Sequence, residues 1–113
     1  MRARAENVTS TAYSDHIVVS TRPIILLGFT IYSSAASAQF IQLHNSATLP
    51  ADDEVPVLML PVAAKDFLGT FWGSEGRYFS NGLVLCNSSL PTVKAIGASD
   101  CWFDVQVATP IER

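Results

Sequence analysis

Charged residues are scarce in this sequence, and basic residues most of all. Its 113 residues hold seven Lys and Arg against ten Asp and Glu, for a net charge of −3, and the only lysines are Lys65 and Lys94. A nucleic-acid-binding protein needs a dense cationic face, so we expect no nucleic-acid partner. With so little solubilising charge, we expect much of the surface to contact another protein.

Histidine is too rare for most catalytic or metal sites. His16 and His44 are the only two, whereas metal-binding double-stranded β-helix proteins place three histidines and a glutamate on facing strands. The acidic cluster 52–54 lacks the alternating oxygen ligands of a calcium loop and is typical of a solvated turn. The chain also has no G-x-S-x-G, P-loop or G-x-G-x-x-G motif. We therefore expect a protein that is not an enzyme and needs no metal or other cofactor.

The sequence has no apolar helix long enough to span a membrane. The run that comes nearest, residues 24–32, has nine residues, where a spanning helix needs about 20. The motif at 36–38 matches a signal-peptide cleavage site, but Glu6, Asp15 and Pro23 do not suit a secretory leader. We interpret the run as a core strand and expect no membrane partner.

Short β-type segments separated by turn residues make up most of the chain. They recur every 8–12 residues or so, a spacing typical of an all-β sandwich or barrel. No stretch shows a convincing helical periodicity. We predict about eight antiparallel strands, at residues 16–20, 24–32, 38–43, 55–62, 67–72, 77–79, 83–86 and 101–107.

Glycine and proline mark special positions within these strands. Gly28 lies inside a strand, which indicates a bulge or a close backbone approach. Pro56 and Pro61 remove two hydrogen-bond donors from one strand, so that strand should lie at a sheet edge or be bulged. Asn81-Gly82 predicts a tight turn, because both residues tolerate a positive φ.

The first fifteen residues differ in composition from the rest. Beyond the initiating methionine, Val8 and Tyr13 are their only sizeable apolar side chains. We therefore divide the chain into an extended N-terminal arm, 1–15, and a β-sandwich domain, 16–113. The arm should contact a neighbouring subunit, with Arg2 and Arg4 donating to carboxylates and Tyr13 burying its ring.

Adjacent aromatic residues in the C-terminal half predict an aromatic outer surface. Neighbours on a strand point to opposite faces, so one member of each pair must lie outside the core. Such side chains are typical of protein interfaces, and carbohydrate stacking is the competing interpretation. The aromatic residues that we select as contacts with a partner protein or another subunit are Trp72, Tyr78 and Trp102.

Three stretches of the chain carry a distinctive order of motifs. Residues 28–62 contain a small-residue loop, then FIQLH, LPAD and VP; residues 76–89 contain FSNGLVLCNS; and residues 98–107 contain the last strand. This order resembles that of the small head decoration, or cement, proteins of tailed bacteriophages. The resemblance implies a jelly-roll-like β-sandwich that forms a homotrimer, or another repeated assembly, on the capsid exterior. The partners that it implies are the major capsid protein and copies of the chain itself, in a virion assembled in the host cytoplasm.

Two functions from different classes therefore remain open. The first is a capsid decoration protein that binds the outside of the head and stabilises it. The second is an adhesin module of a tail or fibre, whose exposed aromatic side chains bind a host glycan.

Cys86 and Cys101 could pair if their strands are neighbours, but we predict that both are buried, reduced thiols. Protein purified from cytoplasm should then expose two reactive thiols when it is denatured without a reductant. The measurement is labelling with a thiol reagent followed by mass spectrometry. A denatured but unreduced chain that takes up no label would show a disulfide instead.

Overall fold

The computed structural model describes residues 5–73 and 75–110. Nine β-strands run through these residues, and no helix among them is long and apolar enough to cross a membrane. The strands are β1 (Ala5–Thr9), β2 (His16–Ser20), β3 (Ile24–Ser33), β4 (Gln39–His44), β5 (Leu58–Val62), β6 (Asp66–Phe71), β7 (Arg77–Phe79), β8 (Leu83–Ser88) and β9 (Cys101–Ala108).

Two antiparallel sheets form a sandwich, which confirms the predicted fold class. The five-stranded sheet has the order β1-β9-β3-β6, and β7 continues the β6 edge by pairing with the other end of β3. The four-stranded sheet has the order β2-β8-β4-β5. The first and last strands pair, and so do the second and the second last. This interleaving of two sheets is the strand order of a jelly roll.

The core lies between the two sheets and follows from alternation along each strand. In β9, Phe103 and Val105 are fully buried, while Trp102 between its buried neighbours faces outward. Successive side chains of a strand point to opposite faces, so each strand contributes every second residue to the core. The other large core residues include Leu26, Phe29, Ile31, Ile41, Leu43, Phe79, Leu83 and Leu85.

The predictions for Gly28 and Pro61 are confirmed, whereas Pro56 lies outside the strand assigned to it, because that strand begins only at Leu58. The register between β3 and β9 shifts between Leu26 and Gly28, as a bulge requires. A Cβ at Gly28 would also overlap the ring of Phe71 and lie 2.8 Å from the Thr70 carbonyl oxygen, so the approach of the neighbouring strand is close as well. The strand that contains Pro61 is β5, and it lies at the edge of the four-stranded sheet.

The segment assigned to the arm includes a strand that the sequence did not predict. Residues Ala5–Thr9 form β1, which pairs with β9 at the edge of the five-stranded sheet. The backbone then stays on β9, since the amides of Ser10 and Ser14 donate to Phe103 and Cys101 at 2.8 and 2.9 Å. Residues 5–15 therefore contact the sandwich of their own chain, and Arg2 and Arg4 lie outside the described residues.

The turn at Asn81-Gly82 connects the two sheets instead of forming a hairpin. Before it, β7 pairs with β3 in one sheet; after it, β8 pairs with β2 and β4 in the other. Gly82 has a φ of 136°, and a Cβ added to it would overlap backbone atoms of two other segments. The turn is thus a point where three parts of the backbone meet.

Substitution of Gly82 tests this close approach. A Cβ there would lie 2.5 Å from the Ser20 carbonyl oxygen and 2.8 Å from that of Ser46. Gly82→Ala should lower the free energy of unfolding by roughly 2–4 kcal/mol, from backbone strain plus steric overlap. Gly73→Ala is the control, because Gly73 also has a positive φ, 80°, but nothing lies within 4 Å of its Cβ. Chemical denaturation measures both, and equal effects would contradict the interpretation.

Candidate interaction surface

A row of aromatic side chains crosses the outer face of the five-stranded sheet. Trp102 of β9 and Phe67 of β6 are both opposite Tyr32 of β3, one on each side of it. The rings of Tyr32 and Phe67 lie 4.8 Å apart, with an angle of 49° between their planes. Cross-strand aromatic pairs of this kind stabilise a sheet and hold the rings in fixed positions.

Tyr13 extends this row beyond the strands. Its ring packs edge-on against Trp102, with centroids 5.5 Å apart and planes at 77°. Tyr13 remains 49% exposed and Trp102 36% exposed, so both rings still present area to solvent. We call Tyr13, Trp102, Tyr32 and Phe67 the aromatic row.

A shallow depression lies beside the aromatic row on the same face. Phe71 forms one side of it, and its ring covers Gly28 of the neighbouring strand. The depression has a volume of about 390 Å³. Polar groups also reach it, so it offers a ring, an amide and hydroxyl groups together. Its lining residues are Phe29, Thr30, Gly69, Thr70, Phe71 and Gln106.

The structure places the predicted contact residues in different environments. Tyr13 and Trp102 are in contact, as described above. Tyr78 is 59% exposed on β7, but it is opposite Ile25, seven residues along β3 from Tyr32. Trp72 is only partly exposed, because it packs on the core 6.0 Å from the ring of Phe29.

Three residues of this face were not selected from the sequence. Phe67 and Phe71 are each 67% exposed, and Tyr32 lies between Phe67 and Trp102. Alternation within the predicted strand 24–32 could have found Tyr32, because it lies one residue from the buried Ile31. Phe67 and Phe71 share one face of β6, and the composition of this strand does not show which of its two faces is buried.

The outer face of the four-stranded sheet is covered by loops. Gln42 and His44 point outward from β4, yet they are 0% and 3% exposed. The side-chain amide of Gln42 donates to the carbonyl oxygens of Leu90 and Val93, both at 2.9 Å. The Oε1 atom of Gln42 accepts from His44 Nε2 at 3.1 Å. The loop between β8 and β9 is thereby attached to the sheet.

A buried lysine joins this loop to the loop between β4 and β5. Lys94 is 3% exposed, and its Nζ lies 2.5 Å from an oxygen of Asp52. Backbone bonds flank the ion pair, because the amide of Asp53 donates to Lys94 and that of Lys94 donates to Glu54, both at 2.8 Å. The hydrogen bond from Lys94 lowers the pKa of the Asp52 carboxyl. The loops therefore form a connected cover.

The described residues contain few groups suited to chemistry. Cys86 and Cys101 are free and buried, and burial raises the pKa of each thiol to about 12. Both thiols thus stay protonated at neutral pH and are poor nucleophiles. Within residues 5–73 and 75–110, no group of three or more His, Cys, Asp or Glu is arranged to hold a metal ion.

The two outer faces of the sandwich therefore differ. Loops cover one, and its exposed apolar side chains are aliphatic, such as Val55 and Leu90. The other carries all five exposed aromatic residues, and no described loop lies over its centre. Contiguous exposed aromatic area is typical of interaction sites. This open face is the candidate functional surface; its exposed aromatic residues are Tyr13, Phe67, Phe71, Tyr78 and Trp102.

His44 should make the stability of the loop cover sensitive to pH. Burial lowers the pKa of His44, and the Lys94 cation lowers it further. The folded chain thus binds fewer protons than the unfolded one, and stability should fall as the pH drops below about 6.5, by at most about 1.4 kcal/mol per pH unit. Denaturation between about pH 7.5 and pH 5 measures the slope. His44→Gln keeps a donor to Gln42 and should flatten it; an unchanged slope would contradict this assignment.

Comparisons with known proteins agree with the architecture. No family model matches the sequence, and a search of curated proteins finds no relative. Among solved structures, the chain is similar to the Tobacco streak virus coat protein, with a TM-score of 0.50 and 9% sequence identity. The similarity covers 99% of this chain and 90% of that chain. The chain therefore has the fold of a jelly-roll viral coat protein.

Proposed function

We propose that this chain is a virion structural protein, and specifically a bacteriophage capsid decoration protein that binds the outside of the head and stabilises it. The observation that supports a virion role most directly is the similarity to a viral coat protein over nearly the full length of both chains. The decoration role rests on the sequence resemblance. In this proposal the chain acts by binding and not by catalysis.

The open face supports a binding role on physical grounds. Aromatic side chains bury large areas and lose little conformational freedom when they do so, and they are enriched at protein interfaces. The aromatic row is already held in place by ring contacts at 4.8 and 5.5 Å. A partner that covers it therefore orders few additional side chains, which lowers the entropic cost of association.

The partners in this proposal are the major capsid protein and further copies of the chain. The resemblance to decoration proteins implies a homotrimer, and we keep the trimer as part of the proposal. Assembly in the host cytoplasm fits the two free thiols, because reducing compartments keep cysteines unpaired. The aromatic row is the surface that we assign to the capsid.

One observation favours the adhesin as a second candidate. The depression beside Phe71 combines an exposed ring with the Gln106 amide and the Thr30 hydroxyl. Sugars stack on rings through their apolar faces and accept or donate hydrogen bonds at their edges. A glycan of a host surface would fit these groups without any contact to a capsid.

Capsid binding tests the primary proposal. Empty capsids of the virus that encodes the chain are mixed with the purified protein, and bound protein is measured by co-sedimentation. Trp102→Ala should weaken binding at least tenfold, because a central tryptophan at an interface is a typical energetic hot spot. Leu90→Ala is the matched control: Leu90 is 47% exposed on the loop-covered side, and its substitution should leave binding unchanged.

The outcomes separate the two candidates. Equal binding by wild type and Trp102→Ala would remove the aromatic row from the capsid contact, and absence of binding by the wild type would overturn the decoration role. A glycan array reports on the adhesin. There, Gln106→Ala should lose a signal that the wild type gives, whereas a decoration protein gives none.

A further inference from the structure

The outer edge of β6 carries backbone groups without a strand partner. Along β6, every second residue forms backbone hydrogen bonds with β3. Trp72, directly after β6, continues this alternation, because its amide donates to the carbonyl oxygen of Leu27 at 2.8 Å. The residues between them direct their N–H and C=O groups away from β3. The amide of Phe67 is directed in this way, because it donates to the side chain of Asp66 at 2.7 Å and not to β3. Phe67, Gly69 and Phe71 thus form an open hydrogen-bonding edge.

The other sheet edges carry features that oppose pairing. Pro61 lies within β5, and a register irregularity between Val18 and Ser20 distorts β2. The edge strand β1 is mostly polar and exposed, with Glu6 near its start. Prolines, bulges and charges are the features by which β-proteins prevent edge pairing. β6 has only Asp66 at its first position, followed by two exposed phenylalanines.

We propose that β6 pairs antiparallel with β6 of a second copy of this chain, about a two-fold axis at Gly69. In this register Gly69 is opposite Gly69 of the second copy, and Phe67 is opposite Phe71 of that copy. All the outward-directed backbone groups then face one another as hydrogen-bonded pairs. The two five-stranded sheets then become one continuous sheet. To form this contact, the Asp66 side chain must release the amide of Phe67, which donates to it in the single chain.

The side chains are self-complementary in the same register. Phe67, Gly69 and Phe71 lie on one face of β6, so each phenylalanine meets one of the other copy across the new pair. Both rings are 67% exposed in the single chain and would be covered together. Gly69 places no side chain at the axis. The two Asp66 carboxylates lie at opposite ends of the paired segment, so no like-charge contact arises.

This contact deepens the self-association in the proposed function but does not rest on a virion role. A two-fold contact is isologous, unlike the three-fold contact of a trimer, and the two can coexist in one assembly. Its backbone groups lie at the edge of the sheet, and Phe67 is the only residue that it shares with the aromatic row; the capsid test above uses Trp102, in the interior of the sheet. Failure of either one is therefore observable without the other.

Cross-linking tests the register. Gly69→Cys places two thiols at the axis, where Cα atoms of a hydrogen-bonded antiparallel pair lie about 5.5 Å apart, within the range of a disulfide. Under mild oxidation this variant should form a covalent dimer on a non-reducing gel. Asn7→Cys, on the opposite edge of the same sheet, is the control and should stay monomeric. Equal cross-linking of both variants would overturn the proposed register.

Removal of the central donor tests the contact itself. Gly69→Pro deletes an amide that bonds to no strand of its own chain, so the melting temperature should change little. It should raise the dimer dissociation constant at least tenfold in analytical ultracentrifugation, whereas Asn7→Pro should not. A wild-type chain that stays monomeric at micromolar concentration, or a Gly69→Pro variant that dimerises like the wild type, would overturn the proposal.

Discussion

The pairing of β3 with β9 is the interaction on which the rest of the structure depends. Eight residue pairs join these central strands, and each strand then holds an outer neighbour: β1 for β9, and β6 with β7 for β3. Their inward residues, such as Phe29 and Phe103, form the middle of the core. Their outward residues, Tyr32 and Trp102, form the middle of the aromatic row. One pairing therefore sets both the stability of the sandwich and the geometry of its open face.

The open face has no cover because buried polar residues attach the loops to the outer face of the other sheet. Gln42, His44 and Lys94 are buried under the loops, and each has a hydrogen-bond partner there. Buried polar groups are tolerated only when they are paired in this way. Loops that are fixed to one sheet cannot cover the other. The aromatic residues thus remain available on a flat, rigid surface.

The sequence predicted the strands that are rich in apolar, β-branched and aromatic residues, and it missed features that depend on residues far away in the chain. Each of the eight predicted segments contains a strand, because a short run of such residues between turn residues favours a strand by itself. β1 has a single half-buried side chain, Val8, and exists because β9 supplies its hydrogen bonds. Trp72 packs on the core and Phe71 faces outward because the pairing of β6 with β3 decides which face of this segment is buried, and local composition does not encode that choice. The cover over the four-stranded sheet depends on Asp52 and Lys94, which are 42 residues apart.

The strand order also determines when the chain can fold during its synthesis. β1 needs β9, and β2 needs β8, so among the nine strands those synthesised first must wait for those synthesised last. Until Cys101–Ala108 emerges, the five-stranded sheet lacks the strand that joins β1 to β3. Before such distant contacts can form, the chain must close long loops. Loop closure costs conformational entropy before the contacts stabilise the fold, so folding is slow. The nascent chain therefore exposes apolar strands until β8 and β9 have been synthesised, a state in which chaperones bind and neighbouring chains aggregate.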